Sequence, residues 1–139
     1  MWGRVLLAEP GVSPDAAEAD LVAIIDEMNA DARRLLLLGL LRPRKLLIGG
    51  YSAPLHRCCP LTAALWEATG HETTNWHDIM TGINRIGLAQ QHQRFSLAYD
   101  QWARAWEFER VDRDRLLVLS TEGRLRLVEL VERQANIAS

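Results

Sequence analysis

The sequence predicts an all-α, or nearly all-α, single compact domain of five to six helices, and three observations predict it. Apolar residues recur at three- and four-residue steps along several stretches, the period of a helix buried on one face. Helix-starting and helix-stopping residues bracket those stretches, with Ser13-Pro14-Asp15 before one and Gly70 and Gly87 after two others. A chain of 139 residues, 48% hydrophobic and 24% charged, is large enough to build one core without metal or disulfide staples.

The elements follow in order. Ser13 as N-cap, Pro14 in the first turn and Asp15 beside the positive end of the dipole predict a helix starting at Pro14. Ala17, Leu21, Ile24 and Met28 form its inner face, Ile25 widens it, and Glu18, Asp26 and Glu27 point away. A pause is expected near Asn29, with Asp31 as a second N-cap before the helix that carries Leu35 to Leu41 and stops at Pro43. Lys45 to Ile48 reads as a short strand or an extended connection, and residues 42–60, with Gly49-Gly50, Ser52 and Pro54, as the irregular segment.

Leu61 to Thr69 is a short helix closed by Gly70, and a second, from about Thr74 to Ile86, is closed by Gly87. A further helix runs from Leu88 or Ser96 to about Arg110. Arg115 to Leu119 reads as a strand or a helical turn, so the most sheet expected is a minor strand pair between residues 45–48 and 115–119. The last helix, Thr121 to Gln134, buries Leu127, Leu130 and Val131 and exposes the pairs Glu122/Arg126 and Glu129/Arg133. Residues 1–12 and 135–139 are expected to be flexible.

Composition narrows the function classes. Fifteen of the sixteen basic residues are Arg, a bias that points to GC-rich coding, hence to a high-GC bacterium or one of its phages. The net charge of −2 argues against a protein that coats nucleic acid with its whole surface. Charge is nonetheless arranged in blocks: residues 1–31 carry seven acids against Arg4, and residues 32–57 carry five Arg and Lys45 with no acid. The two blocks are expected to fold beside each other and neutralise one another.

Adjacent Cys58 and Cys59 cannot easily bridge to each other, so two reduced thiols in the cytoplasm are expected. The N-terminus lacks a signal peptide's basic start and long apolar centre. The apolar run Leu35 to Leu41 is far shorter than the roughly twenty residues that span a bilayer, so no membrane is expected as a partner.

Catalytic and metal chemistry finds little purchase. His56, Cys58, Cys59, His71, His77 and Asp78 include the ligand types zinc prefers, but contain no C-x2-C pair, and H-x5-H sets His71 and His77 over one and a half helical turns apart. Neither thiol carries a neighbouring feature that would activate it. The carboxylate pairs Asp26/Glu27 and Asp112/Asp114 sit in solvated contexts, and no phosphate-binding, dinucleotide, zinc-protease or serine-hydrolase motif occurs. No enzyme activity, cofactor or metal is expected.

Phe95, Tyr99, Trp102 and Trp106 fall at steps of four, three and four, one aromatic stripe along one helix face. Such a stripe is either a core face or a binding surface, and five Trp in so short a chain favour an interface, because each indole N–H wants a partner. The expected function is therefore a non-enzymatic protein that docks on another protein, with Tyr99, Trp102 and Trp106 as anchors and a charged rim from residues 104–115, Arg104 and Arg110 foremost. The partner would be a host regulatory or defence protein, occluded by the docking, or a second copy of the chain.

Two resemblances bear on this. Cys59-Pro-Leu-Thr-Ala63, with Ala68-Thr69-Gly70, Gly87-Leu88 and Tyr99-Asp100, resembles short uncharacterised proteins of high-GC bacteria and their prophages, which implies a phage or mobile-element accessory with no activity to carry over. Leu119-Ser-Thr-Glu-Gly-Arg124 before an amphipathic helix is similar to the strand-to-helix step L-T-x-E-G-R that ends many winged-helix regulators. That similarity implies the alternative, a winged-helix-like DNA-binding regulator, with Leu65 to Ile83 as helix, Gly70 turn and helix. Trp66 and Trp76 stand where the two helices must approach, and Arg85 and His77 are the cationic residues of that second helix.

Overall fold

The computed structural model describes residues 2–3 and 12–138, with side chains from Val12 to Gln134. The elements are β1 (Trp2–Gly3), α1 (Pro14–Glu27), α2 (Ala30–Leu41), β2 (Lys45–Leu46), β3 (Gly50–Ala53), β4 (Arg57–Cys58), α3 (Pro60–Thr69), α4 (Trp76–Arg85), α5 (His92–Ala105), β5 (Glu109–Val111), β6 (Leu117–Leu119) and α6 (Thr121–Ala138). The chain is mostly helical. Its strands form a four-stranded sheet in the order β1-β3-β4-β2 and a separate β5–β6 hairpin.

Local chemistry sets most helix ends. Ser13 Oγ accepts from the Ala16 N–H at 3.2 Å, and Pro14 opens α1 as expected. The second cap is Asn29, not Asp31: the Asn29 side-chain oxygen accepts from the Ala32 N–H at 2.8 Å, which leaves Asp31 in the first turn of α2. Asn75 caps α4 in the same way, so that helix opens at Trp76 and not at Thr74. Gly70 (φ 69) closes α3, its N–H donating to Trp66 O at 2.9 Å.

The aromatic helix is shorter than its pattern suggests. α5 ends at Ala105 because Glu107 takes a left-handed conformation (φ 58), the role usually left to glycine, and Arg110 lies in β5. At the other end of the chain α6 continues to Ala138, with no Gly or Pro beyond Gly123 to stop it. Of the ends expected to be flexible, Trp2–Gly3 pairs with β3, and residues 1, 4–11 and 139 lie outside the described residues.

The segment expected to be irregular holds three strands. β3 pairs antiparallel with β1 and β4, and β2 runs parallel to β4. Leu47 bridges Val118, and the Ile48 N–H donates to Leu117 O at 3.0 Å, so the expected link between residues 45–48 and 115–119 exists within a larger strand system. All four β3 residues are buried, which removes the alternation that marks a strand in sequence.

The core gathers Trp66, Trp102, Tyr99, Phe95, Leu21, Ile25, Leu36, Leu40, Leu61 and Leu65 as its largest fully buried side chains. α1 packs on α5, and α2 lies between α3 and α6. α2 meets the backbone of α3 at Gly39, where a Cβ would fall 2.7 Å from the Ala63 carbonyl carbon. Among the described residues the acidic and basic blocks form no ion pair with one another. Among the described residues their ion pairs go elsewhere: Glu18 to Arg126, Glu27 to Arg94, Arg44 to Glu67 and Glu72, and Arg57 to Asp112.

Candidate nucleic-acid interface

The aromatic stripe is core over most of its length. Tyr99 and Trp102, expected as partner anchors, are 0% exposed, and Phe95 joins them. They therefore stabilise the folded chain and present nothing to a partner, because α5 turns this face toward α1. Trp106 alone is half-buried, stacked on Phe108 with ring centroids 5.8 Å apart and with the Arg126 guanidinium 5.1 Å from its ring.

Three of the indoles have their partners within the chain. Trp102 Nε1 donates to Glu18 at 3.2 Å, Trp106 Nε1 to Pro14 O at 3.1 Å and Trp66 Nε1 to Thr73 O at 2.9 Å. Hydrogen bonding from Arg126, with help from Trp102, outweighs burial and holds Glu18 below the usual carboxylate pKa. This network joins α1, α5 and α6.

The expected helix-turn-helix at residues 65–83 does not form a tight turn. Residues 71–75 run without helix or turn structure between α3 and α4, and the loop wraps Trp66. A compact turn occurs one helix later. Gly87 (φ 84) ends α4, Leu88 is 0% exposed, its N–H donates to Ile83 O, and its carbonyl accepts from the N–H groups of Gln91 and His92. The order from Trp76 is thus helix, turn with a buried leucine, helix, hairpin and helix.

The segment after β2 stands between α5 and the hairpin. The Gly49 N–H donates to Asp100 Oδ1 at 3.3 Å and the neighbouring Ile48 N–H to Leu117 O at 3.0 Å, so the segment after β2 spaces the middle of α5 from β6. Between α1 and this segment α5 keeps a strip of exposed Gln93 and Arg104 with half-buried Leu97 and Gln101 between them, the latter two lining a cleft with Asp20 and Glu27 of α1, and the exposed Gln90 continues it at the N-terminal side. Arg94 is not available on that strip, since it makes a two-pronged pair with Glu27 at 2.6 and 3.1 Å.

Asp112 builds the hairpin tip. Its Oδ1 accepts from the N–H groups of Asp114 and Leu116, both at 2.9 Å, and its Oδ2 meets Arg57 Nη1 at 2.9 Å. The backbone bond from Leu116, with those from Arg57 and Asp114, holds its carboxyl below the usual range despite burial. Arg57 also meets Asp114 at 2.7 Å and Pro54 O at 2.8 Å, fastening the tip to the β3–β4 turn.

What this leaves outside is basic. Arg113 and Arg115 are exposed at the tip, Arg115 with φ 63. Arg104 and Arg110, the two rim residues expected from sequence, are also exposed, and the Arg110 guanidinium folds onto the carbonyls of Glu107 and Glu109. Among the described residues no ion pair engages any of these four arginines. Arg113 and Arg115 fall inside the charged rim expected at residues 104–115 without being singled out there, their signal being Val111-Asp-Arg-Asp-Arg115 between two short apolar runs; Gln90 and Gln93 carry no such signal.

Two other regions were candidates for chemistry. An open cleft of about 510 Å³ is lined by Arg42, Arg44, His56, Trp66, Glu67 and Glu72, but its charges already satisfy one another. Arg44 meets Glu67 at 2.9 Å and Glu72 at 3.1 Å, and it lies 5.5 Å from the Trp66 ring centroid; Arg42 holds Glu67, and His56 holds Glu72. Burial raises the pKa of Glu67 and Glu72, yet these hydrogen bonds outweigh it and both are held low.

Cys58 and Cys59 are buried free thiols, and burial pushes the Cys58 thiol well above its ordinary pKa, the reverse of activation. His71, His77 and Asp78 do share a cleft, but without either cysteine. Among the described residues no group of three His, Cys, Asp or Glu side chains is arranged to hold a metal, and no helix is long and apolar enough to cross a membrane.

No family model, curated protein or solved structure matches the chain.

Proposed function

We propose that this chain is a non-enzymatic DNA-binding protein that lays the outer strip of α5 in the major groove and sets the β5–β6 tip on the adjacent backbone. The observation that supports it is the run from Trp76 onward: two helices joined at a buried-leucine turn, then a hairpin whose tip is locked by Asp112 and projects Arg113 and Arg115. The strand-to-helix step is present as well, since β6 ends at Leu119 and Ser120 Oγ accepts from the Gly123 N–H at 3.0 Å.

The chemistry assigns the roles. Gln90 and Gln93 suit adenine edges and Arg104 a guanine edge, each by paired hydrogen bonds. Arg110, Arg113 and Arg115 supply positive charge to phosphates and fix register without reading sequence. The net charge of −2 does not oppose this, because it is spread over the whole chain, and four of the acids outside the hairpin, Glu18, Glu27, Glu67 and Glu72, are paired with arginines of other elements. Protein docking, the other expected function, passes from the buried stripe to the exposed leucines of α2 and α6.

A random duplex pool passed over the immobilised chain tests the proposal. Enrichment of a preferred sequence that Gln90→Ala and Gln93→Ala alter, and of overall affinity that Arg113→Ala and Arg115→Ala lower, supports it. No retention of duplex DNA at low salt overturns it.

A further inference from the structure

We infer that the Glu27–Arg94 pair is a latch that withholds Arg94 from the DNA backbone, an autoinhibitory contact beside the reading strip. The inference rests on the proposed placement of α5 in the major groove. Glu27 ends α1 and Arg94 lies in the first turn of α5, and they meet through two bonds of 2.6 and 3.1 Å. Arg94 shares a cleft of about 330 Å³ with Leu97 and Gln101 of the strip and with Asp20 and Glu27 of α1.

Exposure sets this pair apart. Its side chains are 53% and 45% exposed, whereas among the described residues every other ion pair between separate elements has at least one mostly buried partner. A pair so open to water adds little to folding, and a phosphate offers an arginine the same two-pronged contact as a carboxylate. Arg94 can therefore change partners without disturbing the core.

The shape of the groove gives Arg94 its place. A major groove about 12 Å wide is filled by one helix, so each flank of that helix faces a ridge of phosphates. On the hairpin side Arg110, Arg113 and Arg115 are exposed toward one ridge. On the α1 side the arginine of the cleft is Arg94, next to Gln93 of the strip. All the charged residues lining that cleft are Asp20, Glu27 and Arg94, so two acids against one arginine leave this flank net negative. Among the described residues Asp20 is in no ion pair, and Glu27 is the acid that holds the arginine. Binding DNA through Arg94 then means stripping Glu27 of its counter-charge beside the phosphates.

Fluorescence anisotropy of a labelled duplex of mixed sequence, over a range of salt, is the experiment. Glu27→Gln should bind about two- to fivefold tighter than the wild-type chain, the strength of an exposed pair. Its salt slope should steepen by about one, because Arg94 then neutralises a phosphate without baring an acid. Arg94→Ala should bind more weakly than wild type, and the Glu27→Gln/Arg94→Ala double variant should lose both the gain and the extra slope. Asp20→Asn removes an acid from the same cleft but frees no arginine, so its slope should stay at the wild-type value. All three positions are exposed, and the variants should keep the wild-type circular-dichroism spectrum.

A contact that only ties α5 to α1 would make Glu27→Gln and Arg94→Ala shift affinity in the same direction, and that result overturns the latch. So does a Glu27→Gln chain that binds no tighter than wild type, or a gain that survives in the double variant. Each of these leaves DNA binding itself standing. No binding by either the wild type or Glu27→Gln at low salt overturns the latch together with the reading it rests on.

Discussion

Arg57 and Asp112 meet at 2.9 Å across 55 residues of sequence, and Asp112 is almost wholly covered by the contact. One end belongs to the β3–β4 turn and the other to the tip of the β5–β6 hairpin. The pair therefore ties the hairpin that carries Arg113 and Arg115 to the four-stranded sheet. Without Arg57 the tip keeps the two backbone bonds to Asp112 but loses its tie to the β3–β4 turn, while Leu47 and Ile48 still hold β6.

Replacing Arg57 with Ala should loosen the hairpin more than the rest of the molecule. Amide hydrogen exchange of residues 109–119 should accelerate while the α1 and α6 amides keep their protection. Uniform acceleration would mean that the pair supports the whole fold and not the tip.

Acid should act on the same contact and on the Glu18, Glu67 and Glu72 networks. All four carboxyls are held below their ordinary pKa by hydrogen bonds. A depressed carboxyl stabilises the fold above its unfolded pKa of about 4, and that stability is lost as pH falls through the lower folded value. Thermal unfolding followed from pH 7 downward should show a flat plateau and then a fall beginning near pH 4 to 5. A melting temperature that rises on acidification would contradict the assignment.

Trp102 and Trp106 should separate by the cost of their removal. Trp102→Ala empties a fully buried site and should cost about 3–5 kcal/mol. Trp106→Ala removes one stacked ring, one cation–π contact and one hydrogen bond at a half-buried site, and should cost about 1–2 kcal/mol. Equal losses in chemical denaturation would mean that the two indoles are buried alike.

Gly39→Ala should be costly for the addition of one methyl group. The new Cβ would press on the Ala63 backbone at 2.7 Å, so α2 and α3 must part. A loss of about 1–3 kcal/mol is expected. A neutral substitution would show that the helix pair has slack at this contact.

How far the sequence could be read follows from these details. The start of α1 was legible because Ser13, Pro14 and Asp15 each act locally, and the end of α3 because glycine suits the left-handed turn at Gly70. The break after Ala105 was not, because a glutamate, Glu107, occupies a turn that composition assigns to glycine. β3 hid behind its complete burial, and β2 and β4 are too short to show a period. Stripe spacing shows that Phe95, Tyr99 and Trp102 share a face but not what covers it; α1 does, from 84 residues away in the contact of Glu18 with Trp102. The hairpin tip was present in the order Asp112-Arg113-Asp114-Arg115, where one aspartate shapes the turn and the arginines are left outside.

The salt dependence of duplex-DNA affinity tests the central claim most directly, measured by fluorescence anisotropy for the wild-type chain and for Arg113→Ala/Arg115→Ala. Counterion release gives a linear fall of log affinity with log salt, and each lost phosphate contact reduces the slope by about one. The account predicts binding at low salt with a slope shallower by about two in the double variant, whose melting temperature is unchanged because both side chains are exposed. Equal slopes in the two proteins, or no binding by the wild type at any salt, would contradict it.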